Sequence, residues 1–159
     1  MKILIDADAS PVKNEVIQLA EKFHLEVVIV SSISHYTFET YPDFVKVIYV
    51  ETGTDRADFK IVQLAQPRDI IVTQDYGLAS LLLPKKCRVI HHKSYEYTQE
   101  NIDLLLHRRH FSAMERQSGI RTKGPKAFTD ADRKKFSQFL LHILENSSEC
   151  LLKKSQKVE

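Results

Sequence analysis

The sequence predicts an α/β fold, with a central parallel sheet and helices on both faces. Three observations predict it. Short apolar runs of strand length recur at Ile3-Leu4-Ile5, Val27 to Val30, Val45 to Val50 and Ile70-Ile71-Val72. Segments with helical spacing of apolar residues lie between several of them. Five aspartates (Asp6, Asp8, Asp55, Asp58 and Asp75) fall at the strand-to-helix turns. Alternation of this kind implies parallel strands joined by right-handed helical crossovers. In such sheets ligands bind outside the carboxyl ends of the strands.

The elements follow in order. Residues 2–6 read as a short buried strand. Ser10 then Pro11 reads as a helix start, a capping oxygen followed by proline at the first helical position. Val12, Val16, Ile17, Leu19, Ala20 and Phe23 continue as an apolar stripe. Residues 31–44 lack periodicity and read as a loop able to hold a short helix. Asp55 to Ala65 reads as a helix closed by Pro67, 69–73 as a strand, Asp75 to Leu83 as a short helix stopped by Pro84, and Arg88 to His91 as a last short strand. The character then changes to C-terminal helices. Thr98 caps one that runs to about Gln117, and Thr129 and Asp132 form a capping-box-like pair before another, with Phe136, Phe139, Leu140 and Ile143 on one face. The expected unit is a single domain over 1–145, with a polar tail at 146–159 whose last residues fray.

At 159 residues the chain is long enough for one domain with a substantial core. No apolar run reaches the roughly 20 residues of a membrane span. A charge at Asp6 comes too early for a secretory leader, so a cytoplasmic location is expected. Cys87 and Cys150 have neither metal-ligand spacing nor a disulfide framework; Cys87, in a strand, reads as a buried inert thiol. The net charge of +2 conceals an asymmetry, −4 over residues 1–105 and +6 over 106–159. An acidic centre beside a basic flank suits a polyanion that must reach a bound metal; a solvated helical surface would give the same balance.

Carboxylates converging at strand ends repel one another unless a cation sits between them. Oxygen-only ligands favour hard ions, here Mg²⁺ or Mn²⁺. Asp6 and Asp8 share a face in extended geometry. Structural alternatives stand beside each metal-ligand reading. Asp8 could cap a helix, and Asp6 could accept loop amides. Asp55 could be an N-cap, Asp58 a first-turn acid favoured by the helix dipole, and Asp75 a turn residue bonding its own backbone. Residues 107–126 carry six Lys/Arg against Glu115 alone. Arg108, Arg109, Arg116, Arg121, Thr122, Lys123 and Lys126 are the candidate nucleic-acid contacts. Arg offers a bidentate grip and Lys a point charge, and Gly119 and Gly124 permit close backbone approach. The glycine spacing is not that of a Walker loop, and an exposed linker kept soluble by charge is the alternative. His91 and His92, beside Lys93, have no ligand spacing and read as structural or phosphate-contacting.

Four stretches together carry a resemblance. Asp6-Ala7-Asp8-Ala9-Ser10-Pro11-Val12, Asp55-Arg56-Ala57-Asp58, Val72-Thr73-Gln74-Asp75-Tyr76-Gly77-Leu78-Ala79 and Arg121-Thr122-Lys123-Gly124-Pro125-Lys126-Ala127-Phe128-Thr129 resemble the YaiI/YqxD family over about residues 1–145. That family looks like a member of the PIN-like group. The resemblance implies a three-layer PIN-like fold and divalent-metal nuclease chemistry. Two departures stand out. Ser10 occupies a position where that family often has Cys, which argues against an essential thiol there. PIN-like nucleases also tend to carry a second acid close after the one matching Asp75, and Tyr76-Gly77-Leu78-Ala79 supplies none, which suits one tightly held metal better than two.

The expectation is a metal-dependent phosphodiesterase acting on nucleic acid, with RNA favoured over DNA. Asp6, Asp8, Asp58 and Asp75 are its candidate catalytic residues, and Asp55 joins them as a candidate metal ligand. A non-catalytic nucleic-acid binder of the same fold is the alternative. A haloacid-dehalogenase-type phosphatase is a third, with Asp6 as nucleophile and Asp8 as acid, although the later paired aspartates of that class are missing.

Overall fold

The computed structural model describes residues 1–119, 124 and 126–155. In chain order they form β1 (Ile3–Asp6), α1 (Lys13–Lys22), β2 (Val27–Ser32), β3 (Val45–Val50), α2 (Arg56–Leu64), β4 (Ile70–Val72), α3 (Tyr76–Leu82), β5 (Arg88–His91), β6 (Tyr95–Glu96), α4 (Gln99–Gln117) and α5 (Asp130–Ser155). Short 3₁₀ turns occupy Ala7–Ala9, Ile33–His35 and Leu83–Lys85. The sheet runs in the order β3-β2-β1-β4-β5-β6. All its pairings are parallel except β5 with β6.

The strands are apolar throughout because both faces of the sheet are covered. Period-two alternation divides them between two cores. Ile3, Ile5, Ile29, Ile70 and Val72 pack on one face against Val16 and Ala20 of α1 and Phe136 and Leu140 of α5. Leu4, Val28, Val30, Ile71 and Val89 pack on the other against Ile61 of α2, Leu78 and Leu82 of α3 and Ile102 of α4. The result is the expected three-layer α/β architecture. The C-terminal helices are divided between the two faces, one to each.

Strand order determines where a ligand can sit. From β1 the chain builds outward through β2 to β3, then returns to the other side of β1 for β4 and continues outward to β5. Connections leave β1 and β4 in opposite directions, so a crevice opens at their carboxyl ends. Asp6 is the last residue of β1, aligned with Val30 of β2. Ile5 aligns with Val72, which places Thr73 beside Asp6 at the same end.

Several elements differ from expectation. Ser10 does not cap α1: its N–H closes the preceding 3₁₀ turn on the Ala7 carbonyl (3.3 Å), and α1 starts at Lys13 after Val12 with no side-chain cap. A tight turn immediately after β1 consumed the residues that resembled a cap. The strand β2 extends through Ser32, and the 3₁₀ turn that follows is the short helical piece expected in that loop. The two-residue strand β6 lacked a periodic signal of its own. Thr98 and Asn101 form a reciprocal capping box at α4, and Thr129 and Asp132 bond each other's backbone N–H groups before α5. α5 continues to Ser155, past the start of the polar composition at Asn146. Cys87 is buried, its thiol donating to the Gln66 carbonyl, and burial pushes its pKa up. Among the described residues no helix is long and apolar enough to cross a membrane.

Candidate active site

Asp6, Asp8, Asp55, Asp58 and Asp75 line a single cavity of about 200 Å³ at the carboxyl end of the sheet, together with Glu51 and Gly53. Each arrives by a different local route. Asp6 ends β1, and its Oδ2 accepts the Thr73 hydroxyl (2.9 Å). Thr73 in turn accepts the Asp75 N–H (3.0 Å), so one buried hydroxyl ties the end of β1 to the turn after β4. The Thr73 carbonyl receives the Tyr97 hydroxyl (3.2 Å).

Asp8 lies in the turn after β1. Its Oδ1 accepts the Ser31 hydroxyl (2.9 Å) and the Ser32 N–H (2.8 Å), and His35 Nδ1 stands 3.3 Å away. Asp8 therefore caps no helix: the end of β2 has captured it. Asp55 occupies the N-cap position of α2, yet its backbone is left-handed (φ 61°) and its side chain caps nothing. Asp tolerates that conformation better than most residues. Asp58 follows in the first turn of α2. Asp75 does cap: its Oδ1 accepts the N–H groups of Gly77 (2.7 Å) and Leu78 (3.1 Å) at the start of α3. Capping and site lining coexist there, because an N-cap side chain already sits at the strand ends. A Cβ added at Gly77 would lie 3.1 Å from Asp75 Oδ1, a close approach that glycine permits.

The carboxylates feel one another. Burial pushes Asp58 up to about 6, and the charges of Asp75, Asp6, Asp55 and Asp8 add to it. Asp6 is also raised, mainly by burial with further contributions from Asp8 and Asp75, against the lowering effect of the Thr73 hydrogen bond. This is the electrostatic signature of several acids sharing a crevice.

The donor set suits a hard divalent cation chemically, since every side chain is an oxygen donor. At Asp6, Asp8 and Asp75 one carboxylate oxygen is engaged by protein donors, and among the described residues the other has no protein hydrogen-bond partner. A ligand carboxylate steadied through its second oxygen has that pattern. The side chains are nevertheless not drawn into a preformed cage: among the described residues no group of three or more His, Cys, Asp or Glu is arranged to hold a metal.

The basic candidates separate. Arg109, on α4, reaches the site, with Nη1 3.8 Å from Asp75 Oδ1. Arg108 and Arg116 are exposed on the same helix, and Arg116 Nε donates to its own helix at the Ser112 carbonyl; neither pairs with a site acid among the described residues. Lys126 is exposed. Arg121, Thr122 and Lys123 lie outside the described residues. His91 is buried, accepts the Lys93 N–H through Nδ1 and stacks on Tyr95 at 4.7 Å. Burial, with His92 and Lys93 nearby, pulls it down to about 3, so it is a neutral structural ring.

Sequence reasoning missed Thr73, Ser31, Ser32 and Glu51. The first three are small hydroxyl residues at the ends of apolar strands, a position that could have marked them as partners for neighbouring acids. Glu51 directly follows β3 and carried the same signal as Asp6.

A family described as "Uncharacterized BCR, YaiI/YqxD family" matches residues 4–146. A UPF0178 protein of Enterococcus faecalis is 54% identical over 147 residues, covering 92% of this chain and 99% of its own. UPF0178 protein OB0454 of Oceanobacillus iheyensis is 54% identical over 144 residues, covering 91% and 99%. Among solved structures, a point mutant of Rae1 (YacP) from Bacillus subtilis aligns with a TM-score of 0.42 at 16% identity, over 92% of this chain and 99% of that one.

Proposed function

This chain belongs to the YaiI/YqxD family, and from that premise and the acid-lined crevice we propose that it is a divalent-metal-dependent nuclease of PIN-like type, hydrolysing phosphodiester bonds in RNA or DNA. One observation carries the reading: Asp6, Asp58 and Asp75, from distant parts of the chain, open into one cavity at the switch point of a parallel sheet. Asp6, Asp58 and Asp75 would hold Mg²⁺ or Mn²⁺, with Asp8 and Asp55 at the margin. When bound, such an ion supplies Lewis-acid stabilisation of charge on the phosphate and acidifies water.

The remaining roles belong to the protein. Thr73 fixes the orientation of Asp6 and the turn that carries Asp75. Ser31 and Ser32 fix Asp8. Asp58, pushed up to about 6 by burial and by the neighbouring acids while the crevice holds no cation, is the carboxylate that a bound cation would relieve most. Arg109, exposed and facing Asp75, is placed to grip a phosphate oxygen that enters the cavity. Lys126, which is exposed, would contact the nucleic-acid backbone, and Arg121 and Lys123 are proposed as further phosphate contacts.

The test is single-turnover cleavage of labelled RNA and DNA with Mn²⁺. Asp58→Asn and Asp6→Asn should each slow cleavage at least about a hundredfold. Cleavage at the wild-type rate by both variants would remove the site. A second reading is a nucleic-acid binder of the same fold without turnover, resting on the exposed basic residues Arg108, Arg109, Arg116 and Lys126. It predicts salt-sensitive binding and no Mn²⁺-dependent product.

A further inference from the structure

We propose that a second cavity, adjoining the acidic one, receives an unstacked base of a single-stranded nucleic acid. The proposal rests on the nuclease reading for the class of ligand and adds how the strand is held. The cavity measures about 540 Å³, within the range of small-molecule sites and ample for a nucleoside. Asp8 borders both cavities. A phosphate beside the acids therefore leaves a neighbouring nucleotide at this opening.

The walls have the chemistry of a stacking platform. Tyr36, Tyr41 and Tyr49 line the cavity. The Tyr36 ring lies 5.0 Å from that of Tyr49, and Phe38 meets Tyr36 edge-on at 5.3 Å. Tyr36, in the lining, is 55% exposed, and Phe38, which touches Tyr36 from outside the lining, is 92% exposed. Every base has a π-face, and aromatic stacking of this kind holds single strands with little regard to sequence. A base paired and stacked in a duplex could not reach the rings.

Polar groups complete the pocket. Ser10 lines the cavity, its hydroxyl enclosed and without a hydrogen-bond partner among the described residues. Lys13 also lines the cavity, its ammonium paired with the Glu39 carboxylate at 3.6 Å, and a phosphate of the strand would compete with Glu39 for it.

The experiment measures binding by fluorescence anisotropy with metal chelated, so that cleavage does not intervene. Its probes are a short labelled single strand, the same strand with one abasic position, and the matching duplex. Wild type should prefer the intact single strand. Tyr36→Ala should weaken that binding about tenfold and leave duplex affinity unchanged, while Tyr36→Phe should keep it. The abasic strand should lose a similar factor with wild type and little more with Tyr36→Ala, the coupling expected if ring and base touch. Tyr36 is exposed, so its replacement leaves the core intact, and Phe38→Ala provides an independent variant. Equal single-strand affinity in wild type and Tyr36→Ala, or a wild-type preference for duplex, would overturn the pocket. Failure of the nuclease reading looks different: the stacking signature persists while Mn²⁺ yields no cleavage.

Discussion

Asp58 is held near 6 by burial and by the acids around it, and that places it in opposition to folding at neutral pH. Its ordinary value is 3.8, so between about 4 and 6 the folded chain binds a proton that the unfolded chain has released. Stability associated with this group is therefore full below about 4 and is lost as pH rises through 6. Asp58→Asn removes the charge. It should raise the melting temperature in metal-free buffer at pH 7 by a few degrees, corresponding to on the order of 1 kcal/mol once solvent screening is allowed for. The gap should close at pH 4, and Mn²⁺ should stabilise wild type more than the variant. A gap of the same size at both pH values would show that the folded chain does not push Asp58 up. Asp6 is displaced in the same direction, but its shift is moderated by Thr73, a residue whose value lies in the bonds it makes to Asp6 and Asp75 and not in any charge.

At the scale of elements, the site is made by the first turns of helices and the last residues of strands. Asp75 does two things at once: it satisfies the Gly77 and Leu78 N–H groups of α3 and it faces the cavity. The two roles are separable. Asp75→Asn keeps a capping oxygen and should cost only a few tenths of a kcal/mol of stability, whereas Asp75→Ala should cost about 1 kcal/mol. Both should abolish Mn²⁺-dependent cleavage to a similar degree, read by melting temperature alongside single-turnover rate. If the Asn variant cleaved like wild type, Asp75 would be a cap alone. The same element logic explains the misread start of α1. Ser10-Pro11 has the composition of a cap, but a 3₁₀ turn precedes it, and the Ser10 hydroxyl is left enclosed with no hydrogen-bond partner among the described residues.

Across the whole molecule, the charge asymmetry acquires a geometry. The acidic crevice sits at the switch point between β1 and β4, and α4 brings the beginning of the basic segment alongside it at Arg109. Arg116 lies two turns further along the same face, roughly 10 Å away by helical rise, where it could meet a more distant phosphate. Nucleic-acid affinity should fall as salt rises. Arg109→Ala should weaken binding across sequences alike and reduce the slope of log affinity against log salt by about one. An unchanged slope would mean that Arg109 serves only as a partner for Asp75.

How much of this was legible follows from range. The α/β class, five of the six strands and the placement of the aspartates at turns were written in local patterns, because apolar runs and helical spacing are properties of neighbouring residues. β6 is too short to carry such a pattern, and its pairing with β5 is what makes it a strand. The assembly of Asp6, Asp8, Asp55, Asp58 and Asp75 into one crevice was an expectation that depended on strand order, and strand order is decided by which apolar faces find partners across the sheet. The capture of Asp8 by Ser31 and Ser32, the Thr73 bridge and the approach of Arg109 join residues far apart in the chain. By itself the sequence determined the elements and the chemical character of their ends; only tertiary structure decided which ends meet, because packing and hydrogen bonding between distant segments carry no signature in local composition.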